Sequence, residues 1–81
     1  MRNIIDMDIL HALCTMPEYA TIAEVQKAIT KHKYCYATLR IALDRLESDG
    51  LVLPREIGRY RNIRISKAGR AVLDQGKRRA A

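Results

Sequence analysis

Thr21-Ile22-Ala23-Glu24 marks the start of a helix more firmly than any other short segment of this chain. The threonine hydroxyl satisfies the amide three residues on, and the Glu24 carboxylate reaches back to the threonine amide, so two orphan donors are closed at once. Ile22, Val25, Ala28 and Ile29 then share one face, which predicts a helix running to about residues 29–31. Lys31-His32-Lys33 holds no apolar residue and reads as a turn. A further helix is expected from about Tyr34, with Leu39, Leu43 and Leu46 on its buried side and Cys35 and Ala42 flanking them. Gly50, after Ser48-Asp49, suits the left-handed position that ends a helix. Two helices across a tight turn, followed directly by strand-like sequence, leave few folds open.

The remaining segments fit around that pair. Asn3 suits the cap of a first helix whose opening turn carries Asp6 and Asp8, favourable at the positive end of its dipole. Ile5, Ile9, Leu13 and Met16, with Leu10 alongside, form its apolar stripe, and Pro17 ends it. Glu18-Tyr19-Ala20 reads as a loop or a very short strand. Leu51-Val52-Leu53 opens a strand that Pro54 confines to a sheet edge. Gly58-Arg59 reads as a hairpin tip. The returning strand alternates Ile63 and Ile65 on one face with Asn62 and Arg64 on the other. Ser66 caps a short final helix carrying Ala68, Ala71, Val72 and Leu73 and fraying through Gly76. The expected class is mainly α with a small β wing (α+β): a winged helix-turn-helix with a three-helix core, a β-hairpin and a short C-terminal helix. Residues 1–76 form the single domain and residues 77–81 a basic tail.

Composition bounds the function. Eighty-one residues allow one small core, and with four Tyr, no Phe and no Trp it must be built from aliphatic side chains. The net charge of +6 is uneven. Residues 1–50 hold six Lys and Arg against seven Asp and Glu, whereas residues 51–81 hold nine against two. Basic charge gathered inside a patterned segment points to a polyanionic partner. There is no signal-like segment and no apolar run near the ~18 residues that span a bilayer, so a cytoplasmic protein without a membrane partner is expected. Cys14 and Cys35 both fall on apolar faces and are expected as buried, inert thiols close to one another. His11 and His32 lack the spacing of a metal site, and His32 is expected to be solvated. No nucleophile elbow or glycine-rich phosphate loop is present, so neither catalysis nor a cofactor is expected.

The charged and outward-facing residues converge on one use. The major groove of DNA admits one α-helix, whose outward, N-terminal side reaches base edges. Opposite the leucines lie Ala37, Ile41, Asp44 and Ser48, with Tyr34 and Arg45 beside them. Ala37 and Ile41 suit thymine methyls, Thr38 and the tyrosines Tyr34 and Tyr36 suit phosphates or bases, and Arg40 suits guanine, with Arg45 angled to the flank. Lys31 and Lys33 in the turn suit phosphates. Arg59, Tyr60 and Arg61 at the hairpin tip suit an adjacent minor groove or backbone.

Tyr36-Ala37-Thr38-Leu39, Leu43-Asp44-Arg45-Leu46-Glu47 and Asp49-Gly50-Leu51-Val52 resemble the recognition helix and its exit in MarR- and PadR-type winged-helix regulators. Arg61-Asn62-Ile63-Arg64-Ile65-Ser66-Lys67-Ala68-Gly69-Arg70 resembles their second wing strand and the start of the next helix, with Ile63 and Ser66 in place of the usual aromatic and threonine. The resemblance spans roughly residues 8–73 and implies a transcriptional regulator, repressor-like, that reads double-stranded DNA as a homodimer. The long C-terminal dimerisation helices of those families are expected to be missing or vestigial here, so a dimer would use the first helix or the last. Their usual ligand cleft is likewise expected to be lost, and no small-molecule ligand is evident. The competing expectation is a winged-helix protein–protein interaction module within a larger assembly.

Overall fold

The computed structural model describes the backbone of residues 4–16, 18–57 and 60–80, and the side chains of these except 56, 57, 60, 61 and 76–80. In chain order the elements are α1 (Ile4–Cys14), β1 (Ala20–Thr21), α2 (Ile22–Ala28), α3 (Tyr36–Ser48), β2 (Val52–Ile57), β3 (Tyr60–Ile65) and α4 (Lys67–Ala80). The strands form one antiparallel sheet in the order β1-β3-β2, with Ala20 opposite Ile63 and Val52 opposite Ile65. Pro54 lies in β2, an edge strand, where its missing N–H costs no ladder bond. Helices and sheet share a core in which Ile9, Leu10, Leu13, Val25, Leu39, Leu46, Val52 and Ile63 are fully buried. This is the α+β winged helix-turn-helix expected from the sequence. Asn3, Pro17 and the Gly58-Arg59 tip lie outside the described residues.

Local chemistry explains the joints. Thr21 forms the complete capping box, accepting from the Glu24 amide at 3.2 Å while Glu24 accepts from the Thr21 amide at 3.2 Å. Gly50, at φ +77, ends α3. The Leu51 amide donates to the Leu46 carbonyl at 2.9 Å and the Gly50 amide to the Glu47 carbonyl at 3.0 Å, the paired bonds of a Schellman motif. Ser66 then knits three elements together. Its hydroxyl donates to the Gly50 carbonyl at 2.6 Å and accepts from the Gly69 amide at 3.1 Å. Gly69 has to be glycine here, because a Cβ would collide with the Leu51 carbonyl and stand 2.8 Å from Ile65 Cγ1.

Several expectations need correction. α2 stops at Ala28, where Ile29 takes an extended backbone and packs against the core, leaving Ala28 exposed. The turn is therefore residues 29–35, longer than the three-residue turn expected. α3 begins at Tyr36, so Cys35 is its N-cap residue and is exposed. Cys14 is only half-buried, and the two thiols do not share the core. Asp6, in the opening turn of α1 as expected, is also buried. Asn62 is buried as well, because β3 is central and Asn62 has Thr21 on one side and Arg55 on the other. α4 is the longest helix, running through Gly76 to Ala80, since one glycine costs only about 1 kcal/mol among good helix formers. The close approach at Gly69 sets its rotation. Gly69 and Leu73 are buried and Val72 half-buried, whereas Ala68 and Ala71 face outward.

Candidate nucleic-acid interface

The core takes Leu39, Ala42, Leu43 and Leu46 from α3, which turns the opposite side of the helix outward. Tyr36, Ala37, Thr38, Arg40 and Ile41 are all exposed, with Ile41 at 67% and Tyr36 at 51% relative accessibility. An isoleucine so open on a small domain has no folding use. The two halves of the helix differ in charge: the first turn has no acid, whereas Asp44, Glu47 and Asp49 gather at the far end. The N-terminal half therefore combines the positive end of the helix dipole with the uncharged and basic side chains, which favours an approaching anion.

Two carboxylates of α1 hold this helix and the turn before it, and neither role was foreseen. Buried Asp6 accepts from the Arg45 guanidinium at 2.5 Å, joining α1 to the second half of α3. The signal was present in the sequence: Leu10 and Leu13 follow Asp6 at +4 and +7, so Asp6 falls on an apolar side. Asp8 accepts from the Tyr34 hydroxyl at 2.8 Å and is hydrogen-bonded to His32 Nδ1 at 2.9 Å through the same oxygen. Burial works to raise the Asp8 carboxyl, but the bonds to Tyr34 and His32, with the nearby His32 and Lys31 charges, outweigh it and hold it below the ordinary value of 3.8. Burial and the bond to Asp8 push the Tyr34 phenol up. Gln26 Nε2 also donates to the Tyr34 carbonyl at 2.9 Å, tying α2 to the residue before the N-cap of α3.

The candidate residues thus divide. Tyr34 precedes α3, is half-buried and is engaged by Asp8. Arg45 is 43% exposed and engaged by Asp6. His32 is partnered by Asp8, not merely solvated. Lys31 and Lys33 are exposed on the turn. Thr38 Oγ1 lies 3.0 Å from Cys35 Sγ, and that bond, together with the amides of Thr38 and Ala37, holds the Cys35 thiol below its ordinary pKa. Arg59 lies outside the described residues, as do the side chains of Tyr60 and Arg61, whose backbones pair with Ile57 and Glu56. Among the described residues no helix is long and apolar enough to cross a membrane.

The fold recurs in solved structures. The chain is similar to BpsR of Bordetella bronchiseptica, whose DNA binding is regulated by 6-hydroxynicotinic acid, with a TM-score of 0.81 and 22% identity over 91% of this chain and 51% of that one. It is also similar to AF1382 of Archaeoglobus fulgidus, with a TM-score of 0.77 and 15% identity over 95% of this chain and 85% of that one. The chain spans about half the length of BpsR. At these identities the likeness establishes the fold, a winged helix-turn-helix shared with a DNA-binding protein. No family model matches the sequence, and no curated protein does. The ligand dependence of BpsR belongs to BpsR.

Proposed function

We propose that this chain is a sequence-specific double-stranded DNA-binding protein, a small transcriptional regulator that acts in the cytoplasm by occupying a promoter, and not an enzyme. The observation that carries the reading is the open, acid-free first half of α3, where Ala37 and Ile41 stand beside Thr38, Arg40 and Tyr36. Ala37 and Ile41 meet thymine methyls, Arg40 reaches guanine, and Thr38 and Tyr36 hydrogen-bond bases or phosphates. Lys31 and Lys33 contact the backbone ahead of the helix, and Arg59, Tyr60 and Arg61 contact it beyond. Tyr34 and Arg45 contribute from the edge of this surface while holding the turn and helix to α1.

Two copies reading a two-fold operator is the arrangement we infer, since an isologous dimer doubles the contacts without a second gene product. Ile4, 66% exposed at the start of α1, is an apolar residue suited to such a contact. The test is binding of a labelled random-sequence duplex across a salt series. DNA binding through lysines and arginines must weaken linearly in log affinity against log salt. Binding that is absent, or indifferent to salt, would instead favour a protein-interaction module.

A further inference from the structure

Two arginines of the wing are left over by the reading above. Arg55 stands opposite Asn62 and Arg64 opposite Leu53, so the two are diagonal neighbours on one face of the β2–β3 pair. This is the face turned away from the core, which takes Val52, Ile63 and Ile65 instead. Both guanidiniums converge on one ring: the Arg55 carbon lies 5.6 Å from the Tyr19 centroid and that of Arg64 5.9 Å. Both arginines are exposed, and among the described residues no carboxylate forms an ion pair with either.

Like charges gathered on one spot repel, which costs the folded chain stability unless something offsets it. The Tyr19 ring offsets part of that repulsion through its negative face and restricts both planar forks. What completes the balance is an anion with several acceptor oxygens, which two forks held in place receive with little further loss of side-chain freedom. A DNA phosphate has this chemistry. Arg55 and Arg64 lie in the same two strands as Tyr60 and Arg61, which are assigned above to DNA.

We propose that Tyr19, Arg55 and Arg64 form a phosphate-binding site on the outer face of the sheet, taking backbone phosphates of the DNA that flanks the segment read by α3. The proposal rests on the DNA-binding reading and adds a contact surface that α3, the turn and the hairpin tip do not supply. Arg55 and Arg64 hold the phosphates, and Tyr19 is a positioning residue.

The experiment compares the wild-type chain with Arg55→Gln/Arg64→Gln and Tyr19→Leu on random-sequence duplex, across a salt series, with thermal unfolding of each. The double variant should unfold at or slightly above the wild-type temperature, because a like-charge contact is gone. It should lower the salt slope by about two units and weaken binding to every sequence alike, by roughly tenfold to a hundredfold at 0.1 M salt. Tyr19→Leu should keep the wild-type slope, since both charges remain, yet bind more weakly. An unchanged slope in the double variant, with the wild-type chain binding DNA normally, overturns this site and leaves the DNA reading intact. Wild-type failure to bind any duplex removes both. A thermal shift with inorganic phosphate that vanishes in the double variant, alongside an unchanged DNA slope, would assign the pair to a free phosphate ligand and also overturn the proposal.

Discussion

On the DNA-binding reading proposed above, the outward face of α3 and the outward face of the sheet solve different problems with different residues. In its first half α3 shows Tyr36, Ala37, Thr38 and Ile41 with a single arginine, Arg40. The sheet shows Arg55 and Arg64 around Tyr19. Methyls, hydroxyls and one guanidinium act at contact distance and tell one base from another. Paired arginines attract any phosphate and tell nothing apart. The two faces are also fixed differently. α3 is tied by side chains, Asp6 to Arg45 and Asp8 to the Tyr34 that precedes the helix, whereas the sheet face is set by backbone pairing. Reading needs the tighter hold, because a small misplacement of a methyl loses its partner while a charge still acts across several ångströms.

The largest expected effect comes at the joint that both faces depend on. In Gly69→Ala the new methyl meets the Leu51 carbonyl and Ile65, neither of which is a flexible chain end. The cost should be about 2–3 kcal/mol, read as a fall of roughly 10–20 °C in Tm. A shift under about 2 °C would mean that the α4 contact is looser than the structure shows.

Ile41→Ala separates the faces. Because Ile41 is largely exposed, stability should stay within about 0.5 kcal/mol. Discrimination at one base-pair position should drop by about 1–3 kcal/mol, with the salt slope unchanged. Loss of stability in solution, dependent on protein concentration, would place Ile41 in a subunit contact instead.

A smaller effect follows from the Asp8 knot. The Asp8 pKa is lowered in the fold, so its contribution is present above the ordinary carboxylate value near 3.8 and is lost as pH falls through the lower folded value. The Tyr34 pKa is raised, so its contribution is present below the ordinary value of 10.0 and fades as pH rises through the folded one. Asp8→Asn should therefore flatten both the acid and the alkaline ends of the stability profile. Identical profiles would show that the bond holds nothing.

The smallest concerns Cys35. Its exposure and its bond to Thr38 predict faster alkylation than Cys14 at neutral pH, and Thr38→Val should slow it. Equal rates at the two thiols would contradict the N-cap geometry.

The elements were legible wherever one side chain closes a backbone group. Thr21 with Glu24, Gly50, and Ser66 with Gly69 each announce a helix end in sequence and perform that task in the structure. The stripes were legible for α3, whose four buried residues follow one period. Where α2 stops was not: Ala28 and Ile29 both suit a helix in sequence, yet Ile29 takes an extended backbone and packs, half-buried, against the core. With the start of α3 at Tyr34 instead of Tyr36, Cys35 falls into the core and Tyr34 onto the outward face, and neither is so in the structure. Of the site, the exposed residues of α3 could be read from periodicity. The Asp8–His32 and Tyr19–Arg55–Arg64 groupings could not, since they join residues far apart in the chain whose proximity only the packed fold creates.

The central claim is that α3 reads base sequence in duplex DNA. Selection of bound molecules from a randomised duplex pool, run in parallel for the wild-type chain and Ile41→Ala, tests it most directly. The account predicts a shared motif in the wild-type pool, with one position relaxed by Ile41→Ala and the others kept. A wild-type pool that stays random through successive rounds, or a motif that Ile41→Ala leaves untouched at every position, would contradict it.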